Sequence, residues 1–307
     1  MTEKITQLDR IPVVKEIVKL TRSIKLPWLE GLSLFDLLEL YVLGIAKGAF
    51  SYRAGAIAFS FFMALFPFAL FILNLIPYIP IEGFQADFLK FVEDGVPPNT
   101  FEAIKTIIDD ILNNSYKGLL SSGFILSVFL MTNGVQAVLG GFETSYHITI
   151  NRGFIKQYLV ALGMSLTLSL ILIITVASIV VSEVVIQKIE FQQIINVSAY
   201  LIEITRYGFV ILMILITTSL LFKFGTKQTT NIPFISLGSV FTTILIILSS
   251  YIFGVYVVKF AKYNELYGSI GTLLILMFYI WINCMVLLLG FELNASINKL
   301  KRQNLYK

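Results

Sequence analysis

Six stretches of this 307-residue chain are long and apolar enough to cross a bilayer as helices, and they leave little room for another architecture. They run at approximately 54–77, 119–140, 158–181, 201–222, 232–258 and 269–291. The fourth is the least clean, because Glu203 and Arg206 sit near its start. Composition agrees: 57% of residues are hydrophobic and 14% charged, against roughly 45–50% and about 25% in soluble domains. Such a chain cannot cover its apolar surface in water, which excludes a soluble enzyme, a disordered chain and a secreted disulfide scaffold. The lone Cys284 allows no intrachain disulfide. The lone His147 allows no multi-histidine metal site.

The expected fold class is therefore all-α, a polytopic membrane protein of six transmembrane helices. Its orientation follows from the basic residues. Lys and Arg number eight in residues 1–53, two in 141–157, two in 223–231 and four in 292–307. The alternate connections 78–118, 182–206 and 259–268 hold three, two and two. That bias places both termini in the cytoplasm. Residues 1–50 read as a cytoplasmic segment, 51–295 as the membrane domain and 296–307 as a basic cytoplasmic tail.

Two regions outside the spans look ordered. Ser33 with Asp36 three residues on resembles a capping box. Leu34, Leu38, Tyr41, Val42 and Ile45 then make one apolar stripe, as in an amphipathic helix lying in the cytoplasmic interface. Upstream, Lys15, Lys19 and Arg22 share a face suited to anionic headgroups or to water. The outer connection 78–118 is too long for a plain loop and reads as a helical hairpin.

No charged residue occupies the middle of any span. Ion-coupled carriers usually hold one there, because such groups are costly and kept for function. Uncharged polar residues are present instead. Thr132, Gln136 and Gly140 fall at steps of four in span two, with Glu143 a turn beyond. Span five has Ser239, Thr243, Ser250 and Gly254 along one face, and span six has Asn283. Helix packing and interhelical hydrogen bonding explain most such patterns; a hydrophilic track for a headgroup is the functional alternative. In span one, Ala56, Ser60 and Ala64 allow close packing, within the bundle or in a homo-oligomer, and Pro67 kinks the helix. His147 reads as a polar residue at headgroup level. Arg53 and Glu143 belong near the cytoplasmic boundary, where they pair or meet a ligand.

Three motifs resemble the YihY/BrkB family of bacterial inner-membrane proteins. The first is Arg53-Ala54-Gly55-Ala56-Ile57-Ala58-Phe59 continuing to Leu65-Phe66-Pro67. The second is Tyr263 through Tyr267-Gly268-Ser269-Ile270-Gly271, and the third Leu287-Leu288-Leu289-Gly290-Phe291-Glu292-Leu293-Asn294. They occur in the family's order over about residues 35–298. The chain departs from the family at Tyr279 and Trp281, whose order is swapped, at Thr132 or Asn133 in place of a Trp, and at Ser145 before Tyr146. The resemblance implies a six-span fold with both termini inside. It also brings a suggestion that members move lipid or another envelope component. Some members were once described as a tRNA-processing ribonuclease, others as virulence or serum-resistance factors.

A metal-dependent phosphodiesterase needs a cluster of His and carboxylate ligands, and tRNA needs a basic groove. The sequence offers neither, so no enzymatic activity, nucleic-acid partner, metal or cofactor is expected. The leading expectation is transport of a lipid or similar amphiphile. A small-solute or ion carrier or channel, and a non-transporting scaffold binding envelope proteins, are the alternatives. The candidate binding residues are Arg53, Gln136, Glu143, Tyr263, Tyr267, Asn283 and Glu292.

Overall fold

The computed structural model describes residues 19–21, 23–25, 33–75, 85–86, 89–90, 93, 105, 108, 117–148, 152–192, 199–229, 233–260 and 269–305. Most of the outer connection 78–118, Lys15, Arg22, Tyr263 and Tyr267 lie outside them.

Helix α1 (Leu34–Lys47) starts where the sequence places it. The Asp36 N–H donates to Ser33 Oγ (3.3 Å) and the Ser33 N–H to Asp36 Oδ2 (2.9 Å), so two donors orphaned at a helix start are satisfied reciprocally. Among the described residues six long helices follow: α2 (Phe50–Leu75), α3 (Lys117–Glu143), α4 (Phe154–Gln192), α5 (Ala199–Phe224), α6 (Leu237–Phe260) and α7 (Ser269–Leu305). All six are long and apolar enough to span a membrane. The last does not stop at the membrane boundary read from the sequence. It runs on to Leu305, and Ile297 and Leu300 pack against Leu37 of α1.

The six spans close into a ring. Each packs chiefly against its two neighbours, α2 on α3, α3 on α4, and so on until α7 returns to α2. The first and last spans are thus adjacent. The core lies at the end of the ring where α1 packs, here termed the base; the opposite end is the rim. At the base, Phe142 of α3 stacks on Phe291 of α7 (centroids 4.0 Å apart), and Phe222 of α5 meets both edge-on (5.7 and 6.0 Å). These rings come from alternate members of the ring, so they plug its middle.

Small residues set the helix spacings. Ala54 and Ala58 are buried where α2 meets the core, and a Cβ on Gly141 would reach 2.8 Å from Ile57 Cδ1. Where α6 crosses α7, a Cβ on Gly290 would run into Thr242 Oγ1 and lie 2.9 Å from the Gly238 carbonyl. Close approach of backbones is how helices gain contact in lipid. The stripe expected on span one is different: Ala64 is buried, but Ala56 is exposed. The packed face holds Ala54, Ile57 and Ala58 instead.

Helix α1 carries two apolar faces. Leu37 and Gly44 are buried against the protein, while Leu38 and Val42 of the predicted stripe point outward, 40% and 59% exposed.

Candidate functional site

A buried polar cluster sits at the base, assembled from four distant segments. Glu292 of α7 is its centre. Ser145, in the turn after α3, donates its hydroxyl to both carboxylate oxygens (3.0 and 2.9 Å). Arg53 places Nη2 at 3.9 Å from Oε2. The Arg53 Nε donates to the Gly141 carbonyl (2.9 Å) and Nη1 to the Gly48 carbonyl (3.0 Å). Arg53 is aimed by the turn before it, where Ala49 adopts a left-handed conformation (φ 45°), unusual for a residue with a Cβ. Gly44 of α1 closes the site, because a Cβ there would collide with the Glu292 carboxylate. Burial and the charge of Glu292 push the nearby Tyr41 up to about 12.

His147, read from the sequence as a polar residue at headgroup level, is buried in the same cluster. Its Nε2 lies 2.9 Å from the Leu40 carbonyl and its Nδ1 3.4 Å from Lys299 Nζ. A carbonyl only accepts and an ammonium only donates, so the ring carries its proton on Nε2 and is neutral. Burial and Lys299 hold its pKa below the ordinary 6.5, outweighing the hydrogen bond to Leu40. The unfolded chain therefore binds the extra proton first. Stability is full above about pH 6.5 and falls as pH drops toward the depressed folded value. The melting temperature of the detergent-solubilised protein is expected to fall between about pH 7 and about pH 5.5, and His147→Gln to flatten that slope. An unchanged slope in the variant would place the titration elsewhere.

Glu143 does not join this cluster. Its Oε1 accepts from the Arg152 N–H (3.2 Å), and the Arg152 guanidinium donates to the Phe224 and Gly225 carbonyls (2.8 and 3.2 Å). The pairing of Arg53 with Glu143 considered from the sequence is thus replaced by Arg53 with Glu292.

The uncharged polar residues lie at helix seams, not along a track. Thr132 meets Ser165 (3.1 Å) between α3 and α4, Thr218 meets Thr243 (3.4 Å) between α5 and α6, and Ser250 meets the Tyr279 hydroxyl (2.7 Å) between α6 and α7. Asn283 donates to the Tyr279 carbonyl of its own helix (2.9 Å), and its Oδ1 is buried without a hydrogen-bond partner. Gln136 is half-buried on α3. At 100° per residue it sits about 120° round the helix from Phe142, on the α4 side.

The inner face of the ring is apolar on the three helices that carry the plug. Stepping from the aromatic plug at helical spacing gives Leu139, Val135 and Phe124 on α3, Leu215, Ile211 and Ile204 on α5, and Leu287, Cys284, Met277 and Leu273 on α7. Exposure along these lines is lowest at the plug and highest at the described positions nearest the rim. It goes from 0% at Phe142 to 46% at Phe124, from 1% at Phe222 to 48% at Ile204, and from 0% at Phe291 to 42% at Leu273. Among the described residues the ring is thus shaped like a funnel, packed shut at the base, with more exposed side chains toward the rim.

The third sequence motif now has a physical reading. Gly290 seats α7 on α6, and Glu292 faces the buried cluster. Asn294 accepts the Gly238 N–H (2.9 Å) and donates to Ser236 Oγ (2.7 Å), tying down the start of α6. The chain matches the family model described as Virulence factor BrkB over residues 44–306. It belongs to the BrkB family. A BrkB-like relative by similarity is the "Putative ribonuclease-like protein YfkH" of Bacillus subtilis (strain 168), 30% identical over 81% of this chain and 90% of its own. The UPF0761 membrane protein NTHI0384 of Haemophilus influenzae (strain 86-028NP) is 24% identical over the same shares. No solved structure matches the chain.

Ser145, His147, Gly44 and Tyr41 were not singled out as binding residues from the sequence. Only the rarity of a histidine in so apolar a chain could have drawn attention to His147.

Proposed function

We propose that this BrkB-family protein moves a lipid or other amphiphilic envelope component at the bacterial inner membrane, with both termini cytoplasmic. The reading rests on the apolar funnel, whose exposure grows from the plug of Phe142, Phe222 and Phe291 to the rim. An apolar, plugged interior suits an acyl tail better than an ion or a polar solute, which needs polar partners once its water is stripped. The excess of Lys and Arg on the termini side supports the orientation, so the rim faces outward. The ribonuclease-like description of the Bacillus relative is not carried over. The whole chain holds one histidine, and among the described residues no group of three His, Cys, Asp or Glu could hold a metal.

The test is lipid movement in liposomes carrying the purified protein. A fluorescent phospholipid is placed in both leaflets and a membrane-impermeant quencher added outside. Quenching beyond that of protein-free vesicles is expected. Met277→Trp, which fills a half-open position of the funnel, should reduce it while leaving the protein monodisperse. Quenching equal to protein-free vesicles would overturn the reading.

A further inference from the structure

A second apolar concavity lies outside the ring, in the seam between α4 and α5. It measures about 310 Å³ and is lined by Val160, Gly163, Met164, Thr167, Leu220 and Phe224. Leu220 and Phe224 stand two residues either side of Phe222, so they lie on the face of α5 opposite the plug. The groove therefore faces the lipid. Its volume suits part of one acyl chain.

Cations mark its base end. Lys156 is exposed and one helical turn before Val160, on the same face of α4. Arg152 holds the carbonyl of Phe224, which itself lines the groove (2.8 Å). Around Lys156, the side chains of Phe154, Ile155 and Leu159 are 71%, 73% and 61% exposed. A lysine among outward apolar side chains is the arrangement of a membrane interface, where the stem lies in tails and the ammonium reaches phosphates. An apolar groove with Lys156 one helical turn from Val160 and Arg152 on the Phe224 carbonyl, two cations against the one carboxylate of Glu143 at the Arg152 N–H, is complementary to a lipid with a negative headgroup.

We propose that this groove binds one anionic phospholipid, an acyl chain along α4 and α5 and the phosphate at Lys156 and Arg152. The site is external to the funnel and stands whether or not the funnel moves lipid.

Gly163 provides the decisive variant, because a Cβ there meets nothing within 4 Å. Gly163→Leu puts a branched side chain into the groove from a backbone position with room for its Cβ. The full-length protein in detergent is melted with added phosphatidylglycerol or with phosphatidylcholine of matched chains, and bound lipid is counted by native mass spectrometry. Phosphatidylglycerol is expected to raise the melting temperature by several degrees more than phosphatidylcholine and to remain bound, as linkage requires of a ligand specific to the folded state. Lys156→Gln should erase the difference between the two lipids. Gly163→Leu should erase retention while melting normally without lipid. Equal shifts for the two lipids, full retention by Gly163→Leu, or equal protection by inorganic phosphate alone would each overturn the proposal. Should Gly163→Leu fail to fold, the surface variant Lys156→Gln decides it.

Discussion

Replacing Glu292 with leucine is expected to destabilise the protein by about 3–5 kcal/mol, the usual cost of stranding one member of a buried charge pair. The carboxylate is fully buried and serves Ser145, Arg53 and the approach of α1 at Gly44. Without it, Arg53 keeps two carbonyl partners but has no anion within the cluster. Arg53→Leu should cost less, because Ser145 still donates to both oxygens of Glu292. The double variant should be more stable than Glu292→Leu alone, since no buried cation then remains. Unfolding in detergent measures all three. Strict additivity of the two single effects would show that Arg53 and Glu292 do not interact.

The second large effect is expected at Gly290. Its Cβ position is already taken by Thr242 Oγ1, with the Gly238 carbonyl 2.9 Å away. Gly290→Val must therefore push α6 away from α7, at about 1–3 kcal/mol for overpacking. The same movement strains the Asn294 bonds to Gly238 and Ser236. Thr242→Ala should recover part of the loss, because Thr242 Oγ1 is the nearest obstacle and itself has no hydrogen-bond partner. Gly254, where a Cβ meets open space, is the control. Equal losses for Gly254→Val and Gly290→Val would mean that helix propensity, not the crossing, decides.

What was legible in the sequence was local or one-dimensional. The Ser33–Asp36 box involves residues three apart, and the spans are runs of apolar residues, so both could be read without knowing what packs where. The direction in which each span faces was not legible. In a bilayer the inner face of this ring and its lipid face are both apolar, so periodicity does not separate Leu273 from Leu274, though helix geometry puts them on different faces. The same ambiguity made Thr132, Thr243 and Ser250 look like a track, when they are contacts between neighbouring helices. The charged cluster was illegible for another reason. Arg53, Ser145, His147 and Glu292 come from segments far apart in the chain, and nothing in their local sequence favours Glu292 over Glu143 as the partner of Arg53. Glu292 and Arg53 were correctly singled out as candidates, because a charge beside a span always needs an explanation.

The adjacency of the first and last spans bears on how the chain is made. Arg53 emerges with the first membrane helix, but the carboxylate that accompanies it is 239 positions later in the sequence. Throughout synthesis the nascent protein holds an arginine whose counter-ion does not yet exist. Ring closure can only be the last event of assembly, and a product cut short before Glu292 announces its own incompleteness through that exposed charge.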